Sequence, residues 1–166
     1  MTKTTEELER LVRDLSWNDG YGCYTRAGFE KLIWSDIAEQ AKWIIFFDVD
    51  DMHALNAMHG YEGVNAIIKK SLDRRGSDVM AGQWFSGDEF IICITDNPDR
   101  DESNPKDFCV RLAEIFRENG ATATFAIAPV TSSNLFANVE PAHELIQLAK
   151  QSNNRDSISI VPGEPR

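Results

Sequence analysis

The stretch WIIFFDVDD, residues 43–51, decides the fold and carries the first functional signal of the sequence. Trp43 to Val49 is a nearly continuous apolar run, which is typical of a strand buried on both faces in the centre of a sheet. Asp48, Asp50 and Asp51 lie at the carboxyl end of this run. The stretch therefore predicts a central strand that ends in acidic side chains.

A β-hairpin is predicted further along the chain. Val79 to Phe85 and Glu89 to Thr95 are both strand-like, and only Ser86 to Asp88 separates them. If a hairpin strand pairs with the central strand, Asp88 and Glu89 meet the other acidic cluster at one edge of the sheet. Functional groups are often mounted at such strand ends.

Acidic side chains at a strand end have two interpretations. They are either solvated loop residues, with Asp50 and Asp51 capping the following helix, or ligands of a metal ion. Crowded carboxylates repel one another unless a cation lies between them, and Mg²⁺ prefers such oxygen ligands together with phosphates. Ser86-Gly87 before Asp88 favours the metal and phosphate site, because small residues let backbone amides approach a phosphate.

The rest of the chain predicts alternating helices and strands in a single α/β domain over residues 1–166. The domain would begin with an amphipathic helix within residues 1–16 and end in a frayed tail at 162–166. The other predicted helices are 26–37, two pieces around His59-Gly60 of which the second covers about 62–75, 108–118 and 141–151, and the other strands are 122–130 and 157–161.

Composition and charge limit the possible partners. The 166 residues are 42% hydrophobic and carry a net charge of −10, which argues against binding of a DNA or RNA duplex by the bulk surface. No apolar run approaches the roughly 20 residues of a membrane helix, and the polar N-terminus is unlike a signal peptide. The 3 cysteines show no metal-binding spacing. We therefore expect a cytoplasmic protein without membrane contact.

Several blocks of the sequence, taken in order, resemble the GGDEF domain, the nucleotidyl cyclase family that condenses two GTP into cyclic di-GMP. SGDEF (86–90) differs from the family signature only at its first residue, and FFDVDDMHALNAMHG (46–60) resembles the family's D-I-D-x-F-K-x-x-N-D-x-x-G-H block. GCYTRAGF (22–29) resembles the entry segment, and AKQSNNR (149–155) resembles the closing segment.

The resemblance implies a palm-type α/β fold with a ferredoxin-like core. Its mixed central sheet would have about five strands flanked by helices, in the order α-α-β-α-α-β-β-α-β-α-β. It also implies two Mg²⁺ (or Mn²⁺) ions per active site, held by Asp48, Asp88 and the backbone carbonyl of Val49. Glu89 would assist the metal site and the deprotonation of the attacking 3′-hydroxyl.

The resemblance also implies how a nucleoside triphosphate, GTP or alternatively ATP, would bind. Ser86 and Gly87 would lie against the phosphates, and Lys150 with Arg155 would neutralise the β- and γ-phosphates. Without the resemblance, Lys150 is interpreted as a cation near a helix C-terminus.

The nucleobase positions depart from the family pattern. Asn56 keeps the position that contacts the guanine edge, but the family's second guanine reader, an aspartate, corresponds to Asn65. An amide offers one acceptor and one donor, so discrimination against adenine should weaken or invert. Met52 replaces the family's phenylalanine and His53 its phosphate-side lysine, with a role for His53 left open.

Regulation departs from the family as well. Arg75 and Asp78 have the letters of the family's product-inhibition motif, but the spacing to the signature is too long, and Trp84 stands where an arginine is frequent. Catalysis would need a homodimer, because each 3′-hydroxyl attacks the nucleotide of the partner. The N-terminal helix either packs on its own domain or contributes to that dimer.

Two alternatives remain open at this point. The chain is also similar to the free-standing palm domain of the minimal CRISPR polymerases, which would imply a cyclic dinucleotide with adenine or relaxed base specificity. The other alternative is a catalytically inactive GGDEF-like module that binds GTP or a protein.

Overall fold

The computed structural model describes residues 2–73, 79–95 and 104–166. Arg75 and Asp78 lie outside the described residues, so the expectation about product inhibition stays a prediction.

The described strands are Trp17–Asn18 (β1), Cys23–Tyr24 (β2), Ala41–Val49 (β3), Met80–Gln83 (β4), Glu89–Thr95 (β5), Ala123–Pro129 (β6) and Ile158–Ile160 (β7). They form one mixed sheet in the order β1-β2-β4-β5-β3-β6-β7. β3 is central and antiparallel to both neighbours, β5 and β6. The pairs β2–β4 and β6–β7 are parallel.

The described helices are α1 (Thr5–Ser16), α2 (Arg26–Gly28), a π-helical segment (Phe29–Trp34), α3 (Ser35–Ile37), α4 (Met52–Asp73), α5 (Pro105–Glu118) and α6 (Leu135–Gln151). α4 and α5 cover one face of the sheet, and the π-helical segment and α6 cover the other. None of the helices in these ranges has the length and apolarity needed to cross a membrane. The predicted mixed α/β sheet flanked by helices is confirmed.

β3 supplies both layers of the core because its side chains alternate between the two faces. Ile45 and Phe47 pack under α4 and α5, whereas Ile44 and Phe46 pack against α6 and the π-helical segment. All four side chains are fully buried, as the apolar run at 43–49 predicted.

Two short strands were not predicted, and the sheet therefore has seven described strands rather than about five. β1 and β2 contain two residues each, too few to show the alternation of a strand in sequence. Tertiary contacts fix them: Asn18 Nδ2 donates to Gln83 Oε1 at 2.9 Å, and the Trp17 and Tyr24 rings pack edge to face.

The predicted start of α6 at Pro141 is wrong, because the helix begins at Leu135. Asn134 caps it by accepting a hydrogen bond from the Ala137 amide at 3.3 Å. An interior proline usually costs about 3 kcal/mol. Burial of Leu135 and Val139 against the sheet offsets that cost.

α4 contains the predicted break at His59-Gly60. Gly60 has φ 73°, a backbone conformation that favours glycine, and it divides α4 into two segments.

α1 contacts its own domain at its C-terminal end but leaves most of its apolar side chains exposed. Leu8, Val12 and Leu15 are all at least half exposed, and only Ser16 at the end of the helix is buried. The helix begins at Thr5, and Thr4 before it forms the capping box with Glu7.

Replacing Gly28 with alanine should destabilise the fold although alanine favours helices. A Cβ at Gly28 would overlap the backbone of Ser16, which is held in place by a 2.8 Å hydrogen bond from the Thr25 amide. We expect a loss of about 1–3 kcal/mol in the free energy of unfolding, measured by urea denaturation.

The matched control is Gly87→Ala, where the nearest atom to a new Cβ lies at 3.7 Å and stability should be unchanged. Equal stability of both variants would contradict the close approach of α2 to the end of α1.

Candidate functional site

Asp48 and Glu89 occupy neighbouring positions on the sheet face that α6 covers. The antiparallel register pairs Asp48 of β3 with Glu89 of β5. Phe47 and Phe90, the adjacent residues in the two strands, belong to the core under α4 and α5, so the acidic side chains point to the opposite face. The predicted meeting of the two acidic clusters is confirmed for Asp48, which lies beside Asp88 and Glu89, but not for Asp50 and Asp51.

The turn between β4 and β5 is tied to the end of β3. The Val49 amide donates to the Asp88 carbonyl at 2.9 Å, and Ser86 Oγ donates to Asp88 Oδ1 at 2.6 Å. Ser86 does not adopt a positive φ, so the serine fits this turn without left-handed backbone strain. The turn thus holds the Asp88 carboxylate beside the end of β3.

α6 places a basic side chain beside each strand-end carboxylate. Lys150 Nζ lies 2.5 Å from Asp48 Oδ1, and His143 Nε2 lies 3.5 Å from Glu89 Oε1. The His143 ring also packs edge to face on Phe46, with ring centroids 5.2 Å apart. Lys150 and His143 are two helical turns apart and therefore share the face that looks at the sheet.

The pKa of Asp48 is raised to about 6, chiefly because the side chain is buried. The hydrogen bond from Lys150 opposes this rise, and the negative charges of Asp88 and Glu89 add to it. The ionised form of Asp48 is therefore disfavoured at this site, and further positive charge nearby would stabilise it.

Asp50 is a structural residue, so its interpretation as a solvated helix cap is wrong. Its carboxylate is buried and accepts hydrogen bonds from Thr122 Oγ1 and Thr124 Oγ1, both at 2.7 Å. It also accepts from the Asp156 amide at 3.0 Å. Asp50 thus joins the end of β3 to β6 and to the loop that follows α6. Asp51, by contrast, is exposed.

Arg155 lies in the loop after α6 rather than on the helix. Its guanidinium is 3.8 Å from Asp51 Oδ1 and 4.0 Å from Asp50 Oδ1. Asp156, the next residue, forms a bidentate pair with Arg117 of α5 at 2.8 and 3.0 Å. The loop that carries Arg155 is therefore fixed to both β3 and α5.

The other predicted nucleotide-binding residues lie on α4. Met52 packs against the core, and His53 is exposed. Asn56 is half-buried on the first segment and Asn65 on the second. A Cβ on Gly20, in the loop between β1 and β2, would lie 3.6 Å from Asn65 Nδ2. The structure thus places Asn65 beside that loop, and the roles of these residues stay predictions.

A divalent metal ion fits part of this arrangement. Among the described residues, no three His, Cys, Asp or Glu side chains converge closely enough to form a site by themselves. Mg²⁺, however, is commonly held by one or two carboxylates and completed by substrate phosphates and water. Asp48 and Asp88 supply two such carboxylates, and the negative charges of Asp88 and Glu89 beside Asp48 favour added positive charge there.

Two residues near the site were missed by sequence reasoning. Tyr21 packs edge to face on Phe90, and His143 stands beside Glu89. Tyr21 follows a glycine in a turn, and His143 is a single polar residue within a helix pattern. Neither position carries a local signal of function, because folding alone brings both to the sheet edge.

Comparison with known proteins identifies the fold. No protein-family model and no curated protein matches the sequence. Among solved structures, the coiled coil and GGDEF domain of DgcB from Caulobacter crescentus, in complex with c-di-GMP, matches with a TM-score of 0.69 and 17% identity over 94% of this chain and 91% of that one. The chain has the GGDEF-domain fold.

Other solved structures agree. The FimX GGDEF domain from Pseudomonas aeruginosa has a TM-score of 0.68 at 16% identity, covering 87% of this chain and 98% of that one. Diguanylate cyclase SiaD from the same organism, in complex with its activator SiaC, has a TM-score of 0.66 at 16% identity over 94% of this chain and 66% of that one. The GGDEF fold thus extends over nearly the whole chain.

Replacing Asp48 with asparagine should remove a pH dependence of stability. In the native protein Asp48 keeps its proton up to a pKa of about 6, whereas the unfolded chain releases it near pH 4, so stability falls as pH rises through this window. A shift of this size is worth at most about 3 kcal/mol. Urea denaturation in EDTA between pH 4 and pH 8 measures the effect.

Asp51→Asn is the control, since it makes the same chemical change at an exposed neighbour and should keep the pH dependence. If Asp48→Asn and wild type lose stability in parallel over this range, the raised pKa is wrong.

Proposed function

We propose that this chain is a Mg²⁺-dependent nucleotidyl cyclase that condenses two NTPs into a cyclic dinucleotide, most favourably cyclic di-GMP from two GTP. The observation that carries the proposal is the meeting of Asp48, Asp88 and Glu89 at one sheet edge of a chain with the GGDEF fold. Relatives in fold support it: DgcB is described in complex with c-di-GMP, and SiaD as a diguanylate cyclase.

The phosphates of the nucleotide would lie against the turn at Ser86 and Gly87. Lys150 and Arg155 provide positive charge on the α6 side of this turn, and the bonds of Asp50 fix the loop of Arg155. When a phosphate arrives, the Lys150 ammonium has a second anionic partner besides Asp48. These contacts would hold the triphosphate before reaction and neutralise its charge.

The reaction forms a bond from the 3′-oxygen of one nucleotide to the α-phosphorus of the other and releases pyrophosphate. Bound Mg²⁺, held by Asp48, Asp88 and the Val49 carbonyl, would lower the pKa of the 3′-hydroxyl and neutralise charge on the phosphoryl group. Glu89 would accept the hydroxyl proton, and His143 lies beside its carboxylate. Two such steps close the ring and release two pyrophosphates.

The symmetry of this reaction requires a homodimer. Each chain would hold one nucleotide, and the two sheet edges would face each other so that each 3′-hydroxyl reaches the partner's α-phosphate. The exposed position of Ser86 and Gly87 at the tip of the turn is consistent with this arrangement.

Incubation of the protein with GTP and Mg²⁺ should yield cyclic di-GMP and pyrophosphate, identified by mass spectrometry. Asp88→Asn should reduce the rate by at least about a hundredfold, because it removes one of the two carboxylates that would hold Mg²⁺ at the transferring phosphoryl group. Asp107→Asn, at an exposed position on α5, is the charge-matched control and should retain activity.

If no nucleotide pair gives product while GTP still binds, the cyclase proposal is wrong and the inactive nucleotide-binding module replaces it. Equal activity of Asp88→Asn and wild type would also contradict the assigned site.

A product that contains adenine is the second candidate, and Asn65 favours it. An aspartate accepts from both guanine N1–H and N2–H₂, whereas an asparagine amide can also donate to adenine N1. Because Asn65 is half-buried, a base that leaves its amide without a hydrogen-bond partner would bind with a less favourable free energy.

Asn65→Asp should therefore raise the preference for GTP over ATP by about ten- to a hundredfold, measured by competition between the two nucleotides. Asn134→Asp makes the same change at the opposite end of α6 from Lys150, where aspartate is an equally good helix cap, and should leave the ratio unchanged. An unchanged ratio in Asn65→Asp would remove this residue from base recognition.

A further inference from the structure

Tyr21 lies at the sheet edge that carries the candidate site. The residue stands in the loop between β1 and β2, and its ring packs edge to face on Phe90, with ring centroids 5.4 Å apart. Phe90 is fully buried and directly follows Glu89. The Tyr21 ring therefore has a fixed position on the α4 side of the sheet.

The loop of Tyr21 connects the two regions assigned to the nucleotide. A Cβ on Gly87 would lie 3.7 Å from the Tyr21 hydroxyl oxygen, so this hydroxyl is at the tip of the turn assigned to the phosphates. One residue earlier, a Cβ on Gly20 would lie 3.6 Å from Asn65 Nδ2, at the position assigned to the base. Gly20 and the Tyr21 side chain thus reach from the position assigned to the base to the position assigned to the phosphates.

The hydroxyl of Tyr21 is available to a ligand. It forms no hydrogen bond with any of the described residues, although the side chain is half-buried. Tyrosine hydroxyls in such places usually have a partner. A tyrosine hydroxyl, with an ordinary pKa of about 10, keeps its proton at neutral pH and is therefore a donor.

We propose that the Tyr21 hydroxyl donates a hydrogen bond to a ribose hydroxyl of the bound NTP and so makes the site specific for ribonucleotides. This inference rests on the proposed function, which places the base near Asn65 and the phosphates near Gly87. The ribose is the part of a nucleotide that lies between base and phosphates, and Tyr21 occupies the corresponding position in the protein. Tyr21 is then a specificity-determining residue of the reaction.

The test compares Tyr21→Phe with wild type in the binding of GTP, 2′-deoxy-GTP and 3′-deoxy-GTP. Calorimetric titration with Ca²⁺ in place of Mg²⁺ would keep the nucleotides intact. Loss of one hydrogen bond should weaken GTP binding roughly five- to tenfold. The affinity for the deoxynucleotide that lacks the contacted hydroxyl should be the same in Tyr21→Phe and wild type, because that hydrogen bond is already absent.

Tyr24→Phe is the matched control. Tyr24 also lies in this hairpin, but its ring packs on Trp17 and belongs to the core on the α6 side of the sheet. It should bind all three nucleotides like wild type. Thermal unfolding of Tyr21→Phe should also match wild type, since the ring contact with Phe90 remains.

Four results of these binding measurements would contradict the proposed ribose contact. Equal weakening for all three nucleotides would assign the hydroxyl to a phosphate and overturn the ribose contact, and so would unchanged binding of GTP by Tyr21→Phe. If wild type binds none of the nucleotides, the proposed function fails and this inference fails with it. If wild type binds them and Tyr21→Phe shows no selective loss, the inference alone fails.

Discussion

The hydrogen bond from the Val49 amide to the Asp88 carbonyl is the constraint on which the candidate site depends. It extends the pairing of β3 with β5 into the turn and fixes which residues stand opposite each other. A slip of one residue would turn Asp48 away from Glu89 and from α6, since strand side chains alternate between faces. The buried rings of Phe47 and Phe90 are stacked with their centroids 5.3 Å apart, and this packing opposes such a slip. The core therefore sets the geometry of the acidic groups.

Much of the fold was predictable because its central signals are local. The apolar run at 43–49 predicted the central strand. The segment SGD between two strand-like runs predicted the hairpin, and with it the position of Asp88 and Glu89 beside Asp48. The break of α4 at Gly60 was also readable, because a glycine there admits the positive φ. The palm-type expectation came from ordered resemblance to the GGDEF family, and the solved GGDEF structures agree with it.

The remainder depends on contacts between distant parts of the chain. β1 and β2 are too short to show a strand pattern in the sequence. Pro141 suggested the start of a helix, but the helix begins at Leu135, after the cap at Asn134. Asp50 resembles its acidic neighbours in sequence, yet it is buried and bonded to Thr122 and Thr124 at the start of β6. Tyr21 joins the site through a ring contact that no local spacing encodes. Such residues are found only when burial and hydrogen bonds are traced in three dimensions.

Lys150 changes how the acidic edge responds to cations. Because the Lys150 ammonium already pairs with Asp48, an arriving divalent ion would replace this single positive charge beside the carboxylate with a double one. The displaced ammonium stays attached to α6 and can turn to the phosphate that enters with the ion. The ion would add two positive charges to a pocket that keeps its ammonium, and the negative charge of the phosphates would balance them. Lys150 would thus be a counterion that belongs to the polypeptide, paired with Asp48 in the empty site and with a phosphate in the loaded one.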